Sequence, residues 1–153
     1  MTDESEKDRL NRELDQLLGE LRVALPGVQV LFAFLLTVPF SQRFTTLDAT
    51  ARDVYFAAVS LTAGASLLLI APTVHHRLRF REGTKAELIQ MATHMAIVAS
   101  GLLALAMGAA IYVVGAAAFP HARARWAGVL FVLLAALVWF VLPFQYRRRK
   151  PPD

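Results

Sequence analysis

The sequence contains no cysteine. Disulfides, thiolate nucleophiles, iron–sulfur clusters and cysteine-based zinc sites are therefore excluded. Charge is the next scarcity: 18% of residues are charged against 56% hydrophobic, and the charges fall in five short clusters. Between the clusters run four apolar stretches about as long as a bilayer is thick. A soluble helix needs polar residues along its outer face, and these stretches have almost none. No Asp, Glu, Lys or Arg lies deep in any of them. Ion-coupled transporters keep an ionisable group near the membrane midplane, so this emptiness weighs against that class. A cleavable leader is not expected, because residues 1–22 hold seven acids and four bases without an apolar core. Nor is a lipid anchor expected, since the second residue is Thr2 and no cysteine exists to be acylated.

What is present fits an all-α integral membrane protein of four transmembrane helices, paired as two antiparallel hairpins and preceded by an N-terminal amphipathic helix. Residues 1–22 carry that first helix. Ser5 with Asp8 makes a start like a capping box, and Leu10, Leu14, Leu17, Leu18 and Leu21 follow at steps of 4, 3, 1 and 3. Such a helix lies on the inner leaflet or packs on a partner, but the plainer reading is a lead-in to the first span. The transmembrane domain covers 23–144, with spans at about 23–40, 54–74, 95–114 and 126–144. Residues 145–153 form a basic tail. Pro26-Gly27 invites a break, yet Gly27 to Phe40 is only 14 residues, about 21 Å of helix against a hydrocarbon core of about 30 Å. A kinked, continuous entry is expected. Thr50 and Asp53 are placed to cap the second span, and Thr84 with Glu87 the third.

The basic residues set orientation. Lys7, Arg9, Arg12 and Arg22, then Arg77, Arg79, Arg81 and Lys85, then Arg147, Arg148, Arg149 and Lys150 give twelve on one side. Arg43, Arg52, Arg123 and Arg125 give four on the other. Both termini are thus expected in the cytoplasm. Phe40, Phe44, Tyr55, Phe56, Phe119 and Trp126 would mark the outer interface, and Trp139, Phe140, Phe144 and Tyr146 the inner one. Thirteen of the sixteen basic residues are arginine, a bias associated with GC-rich bacterial genomes and hence with a bacterial cell membrane.

Few residues in the spans bear chemistry. Gln29 is the one strongly polar side chain; it lines a path or, on the reading favoured here, bonds to a neighbouring helix or to backbone freed by Pro26. Ser60, Thr62, Ser66 and Ser100 can bond to their own helix carbonyls. Gly101, Gly108 and Gly115 recur at steps of seven, with Ala104 four before Gly108, and so present one face open to close backbone approach. Its partner is another span of the chain, the favoured reading, or a second copy. His75, His76 and His94 could meet at the inner face, but adjacent histidines on a helix point about 100° apart, so a metal or haem site is not expected. Arg77, Arg79, Arg81 and Arg147, Arg148, Arg149, Lys150 lie beside the membrane, where they fix orientation and meet anionic lipid head groups. Nucleic-acid binding has no support beyond charge. Pro26, Pro72 and Pro143 share a depth near the inner end and could shape a vestibule.

The runs Glu20-Leu21-Arg22-Val23-Ala24-Leu25-Pro26-Gly27-Val28-Gln29-Val30-Leu31-Phe32-Ala33-Phe34-Leu35-Leu36, Asp53-Val54-Tyr55-Phe56-Ala57 and Leu69-Ile70-Ala71-Pro72-Thr73-Val74-His75-His76-Arg77 are distinctive. In them the chain resembles a family of small four-span actinobacterial membrane proteins of unknown function. The resemblance covers the first half well and the second more loosely. It implies a fold and a lineage, and no activity. The reading is a non-enzymatic membrane protein without cofactors, structural, scaffolding or accessory in role, acting as a homo-oligomer or with a partner membrane protein. The alternative is a component of a small-solute or ion transporter or channel, with Gln29 and the prolines lining its path.

Overall fold

The computed structural model describes residues 2–78, 85–143 and 145, with side chains placed for 8–75, 86–143 and 145. The described chain is helical nearly throughout: α1 (Thr2–Thr37), α2 (Ala49–Leu78), α3 (Lys85–Ala116) and α4 (His121–Ala136), the last carried on by a wider π turn (Leu137–Val141). Each contains a segment long and apolar enough to cross a membrane.

The first helix is a single element of 36 residues, about 54 Å at 1.5 Å per residue. It begins at Thr2, ahead of the expected Ser5–Asp8 cap, and passes through Pro26 without a break at the 22/23 boundary. One stripe explains the continuity. Leu14, Leu21, Val28 and Leu35, at steps of seven, are all buried. Seven residues make nearly two turns, so the stripe keeps one bearing from the charged half of the helix into its apolar half. Leu21 and Val28 pack with Ala65 and Leu69 of α2 and Ala99 of α3, and Leu17 and Leu25 close around them. Pro26 supplies no amide hydrogen to the Arg22 carbonyl, and the packing on either side holds the helix through that gap.

Proline also ends the helix. Pro39 disfavours a helical Val38, and the chain passes through two 3₁₀ turns (Val38–Phe40 and Gln42–Thr46). The same proline deprives the Leu35 carbonyl of its i+4 amide donor. The Tyr55 hydroxyl donates to that carbonyl instead, at 2.9 Å in a buried position. Tyr55, expected in an outer aromatic belt, therefore points inward, with the half-buried Phe44 ring edge-on to it at 5.1 Å. Phe40, Phe56, Phe119 and Trp126 stay exposed. Phe144 and Tyr146 lie outside the described side chains.

The cap of α2 is Asp48, whose carboxylate accepts the Ala51 amide at 2.9 Å. Thr50 and Asp53, the expected caps, are already inside the helix. At α3, Glu87 lies in the first turn, while Thr84 is outside the described residues. The fourth helix begins at His121, ahead of the span expected from about 126. Towards its other end Pro143 lacks an amide hydrogen and crowds the Trp139 carbonyl, and the preceding turn widens so that the Leu142 amide reaches the Leu137 carbonyl.

The third helix is central: it packs against each of the other three, α2 packs against α1 as well, and α4 rests on α3. One buried cluster gathers where the α1–α2 and α3–α4 loops meet, around Leu35, Leu47, Ala51, Tyr55 and Tyr112. The other occupies the half nearer the termini. Thr62, fully buried between them, donates its hydroxyl to the Ala58 carbonyl at 2.8 Å and so places no unpaired polar atom in the seam.

Candidate functional site

The seam between α3 and α4 is built from residues without bulk. A Cβ added at Gly108 would lie 3.0 Å from the Gly128 carbonyl oxygen, and one at Gly128 would lie 2.6 Å from the Gly108 oxygen. A Cβ at Gly115 would come within 2.9 Å of the Ala124 Cβ. The backbones of the two helices are thus in direct contact, running in opposite directions. The glycine face packs inside the chain, against α4. Its members are not equivalent: Gly101 sits at the looser end, where an added Cβ would first meet the Phe140 ring at 4.0 Å. Ala104 is buried. Reasoning from the sequence missed the other half of the seam, Ala124, Gly128 and Ala135. Their spacing of four and seven was the available signal, hidden because alanine is common throughout.

The thin seam leaves an apolar groove on each side. One, about 600 Å³, lies between α3 and α4, with Ala110, Val114, Arg123 and Ala127 among its lining residues. The other, about 420 Å³, is lined by Thr50 and Val54 of α2 together with Tyr112, Arg125 and Val132 of α3 and α4. Neither is lined by an acid, a histidine or any of the three prolines 26, 72 and 143. Such walls suit hydrocarbon; beside the arginines their only polar side chains are Thr50 and Tyr112 in the second groove, with no carboxylate or imidazole among the lining residues to activate a hydroxyl.

The expected polar sites are dispersed. Gln29 is exposed on α1 and makes no hydrogen bond among the described residues, neither to a neighbouring helix nor to the Arg22 carbonyl. Ser66 and Ser100 bond to carbonyls of their own helices at 3.0 and 2.9 Å, as Thr62 does, while Ser60 is exposed. His75 and His94 each share a hydrogen bond with the carbonyl four residues back, Ala71 and Gln90, at 3.0 and 2.8 Å. Among the described residues no group of three or more His, Asp or Glu is placed to hold a metal ion. The His76 side chain, the basic set Arg77, Arg79, Arg81 and the tail Arg147–Lys150 fall outside the described side chains. Pro72 is buried whereas Pro26 and Pro143 are exposed, so the three do not frame a common vestibule.

Charge is arranged simply. Every described Asp, Glu, Lys or Arg side chain is exposed. Near the paired loops, Arg52 donates to the Thr45 carbonyl at 2.8 Å and stands 6.0 Å from the Phe44 ring centre. Arg43 reaches across to the Ala117 carbonyl at 3.4 Å, just past the C-terminus of α3, where a cation is favoured by the helix dipole. The exposed apolar surface is much larger. Val23 and Phe34 on α1, Phe56 and Leu67 on α2, Ile97 and Val114 on α3, and Leu130 and Leu133 on α4 all face outward.

Compared with known proteins, residues 3–143 match the model of a family of unknown function (DUF6328), a match that takes in all four helices. No curated protein and no solved structure matches the chain.

Proposed function

We propose, for a chain that belongs to the family of unknown function DUF6328, that it is a four-span protein of the bacterial cell membrane with both termini in the cytoplasm, structural or accessory in role. The observation that carries the membrane part is the apolar exterior. Four helices each hold a window of low charge and high hydropathy, yet only 11 to 28% of each window is buried. In water so large an apolar surface would be covered by association; in a bilayer it is the ordinary outer face. The twelve-to-four distribution of Lys and Arg sets the orientation. Arg77, Arg79, Arg81 and the Arg147–Lys150 tail then meet anionic head groups on the cytoplasmic side.

The accessory role rests on what the described residues bring together: packing seams and apolar grooves, with the histidines bonded to their own helices. A path for a polar solute is disfavoured because Gln29, its one polar lining candidate, faces away from the other helices. The absence of cysteine makes topology direct to test. Thr45→Cys and Ala118→Cys, in the two paired loops, should react with a membrane-impermeant maleimide on intact cells, and Ala86→Cys only after permeabilisation. The opposite pattern overturns the orientation, and loss of the chain from the membrane fraction overturns the whole reading. Solute flux through vesicles carrying the protein, abolished by Gln29→Leu, would replace the accessory role with transport.

A further inference from the structure

We infer that two copies of this chain associate through α1, their Gln29 side chains hydrogen-bonded to one another across a two-fold axis. The inference rests on the membrane reading above. Gln29 is exposed and without a hydrogen-bond partner among the described residues. Along α1 the nearest charged residue is Arg22, seven residues or about 10 Å of helix away, and Ser41 lies beyond the other end of the helix. The only other polar side chain between them, Thr37, is already bonded to the Phe34 carbonyl at 2.7 Å. Gln29 therefore sits within the hydrocarbon, where an amide with neither water nor a partner is costly.

The face that carries it has the pattern of a helix contact. Arg22, Pro26, Gln29, Ala33 and Leu36 follow at steps of 4, 3, 4 and 3, and all five are exposed. This stripe is turned about 100° from the buried line of Leu21, Val28 and Leu35, so α1 has one seam for its own chain and a second left open. Ala33, one turn on from Gln29, adds no bulk that would hold another helix off. Of the four helices α1 has the least-buried apolar window, 11%.

The occupant follows from the chemistry of the side chain. A carboxamide both donates and accepts, so it is its own complement. Across a two-fold axis each residue meets its own copy or the reciprocal neighbour, and a glutamine beside the axis can give and take a hydrogen bond at once. A second copy of this chain satisfies both halves of the amide.

The test uses the full-length, cysteine-free protein in lipid vesicles. Ala33→Cys should form a disulfide-linked dimer on mild oxidation, well above Phe34→Cys on the far side of α1 and Leu130→Cys on α4. Self-association followed by energy transfer on dilution with lipid should weaken about tenfold in Gln29→Leu and recover in part in Gln29→Asn. Equal cross-linking at all three positions, a monomer at every dilution, or a dimer indifferent to Gln29→Leu would each overturn the inference. So would Ala33→Cys linking only to a different protein in native membranes. Failure of the maleimide pattern or of membrane fractionation removes the membrane reading, and this inference with it, whereas a monomer of normal topology removes this inference alone.

Discussion

The two outer helices are attached to the α2–α3 pair by opposite means. The first docks through large side chains, Leu14, Leu21, Val28 and Leu35. The fourth docks through Ala124, Gly128 and Ala135, and its backbone touches that of α3. Both leave most of their apolar window outward, 11% and 17% buried against 28% for each inner helix. In the bilayer proposed above, apolar contact between helices gains little over contact with acyl chains, so attachment there depends on fit. A seam of large side chains is weakened by removing volume, and a seam of backbone contacts by adding it.

The largest effect is therefore expected from adding bulk to the backbone seam. At Gly128 even a methyl group would stand 2.6 Å from the Gly108 carbonyl oxygen, so Gly128→Leu must drive α4 off α3. Overpacking against backbone should cost about 3 kcal/mol, the upper end of the usual range. Unfolding in mixed micelles should show it, together with loss of native contact between the two helices. Gly101→Leu is the control on the same glycine stripe, where the added carbon first meets a ring at 4.0 Å. Equal damage from the two would dissolve the contrast between a tight and a loose end of the seam.

The complementary change removes volume from the α1 seam. Leu21 is 7% exposed and packs within the cluster that joins α1 to α2 and α3. Leu21→Ala should cost about 2 kcal/mol, at the low end for a buried leucine, because in the membrane proposed above acyl chains can relax towards the gap. Measured beside Gly128→Leu, it should be the milder of the two. If it is the more damaging, large side chains and not backbone contact are the stronger attachment.

How much of this was legible beforehand differs between the same two seams. The leucine line of α1 could be read directly, because leucines at steps of three and four stand out against charged neighbours. Its continuation through Val28 and Leu35 could not, since inside an all-apolar stretch the buried and outward positions look alike. The glycines of α3 were visible as a stripe, but Gly128 was lost among the alanines of α4. Gln29 was visible as a polar residue in an apolar stretch, but only the packing of α1 showed which way it faces. Asp48 was passed over as a cap because the start of α2 was placed a turn too late. The inward turn of Tyr55 needed the fold, because the carbonyl it serves lies twenty residues away.

That carbonyl offers a finer test of how α1 is held. Tyr55→Phe removes the donor to Leu35 and should cost about 1 kcal/mol. The reason for the bond is that Pro39 cannot supply the amide. Pro39→Ala restores a donor four residues on, so Tyr55→Phe in that background should cost distinctly less. A double-mutant cycle measures the difference as a coupling between the two positions. Additive effects would show that the Tyr55 hydroxyl does not act by serving a carbonyl that Pro39 leaves without a donor.

The smallest expected effect lies where the two outer helices come nearest to a shared constraint. Arg43, in the loop that follows α1, bonds to the Ala117 carbonyl in the loop that leads to α4. At 3.4 Å the bond is long and the side chain is exposed, so solvent and salt screen the attraction to the end of α3. Arg43→Gln should lower stability by about 0.5 kcal/mol or less, and the loss should shrink further as salt is raised. A loss that persists at high salt would place the contribution in packing of the stem rather than in charge. A loss rivalling that of Leu21→Ala would mean that the loops, and not the two seams, hold the outer helices in place.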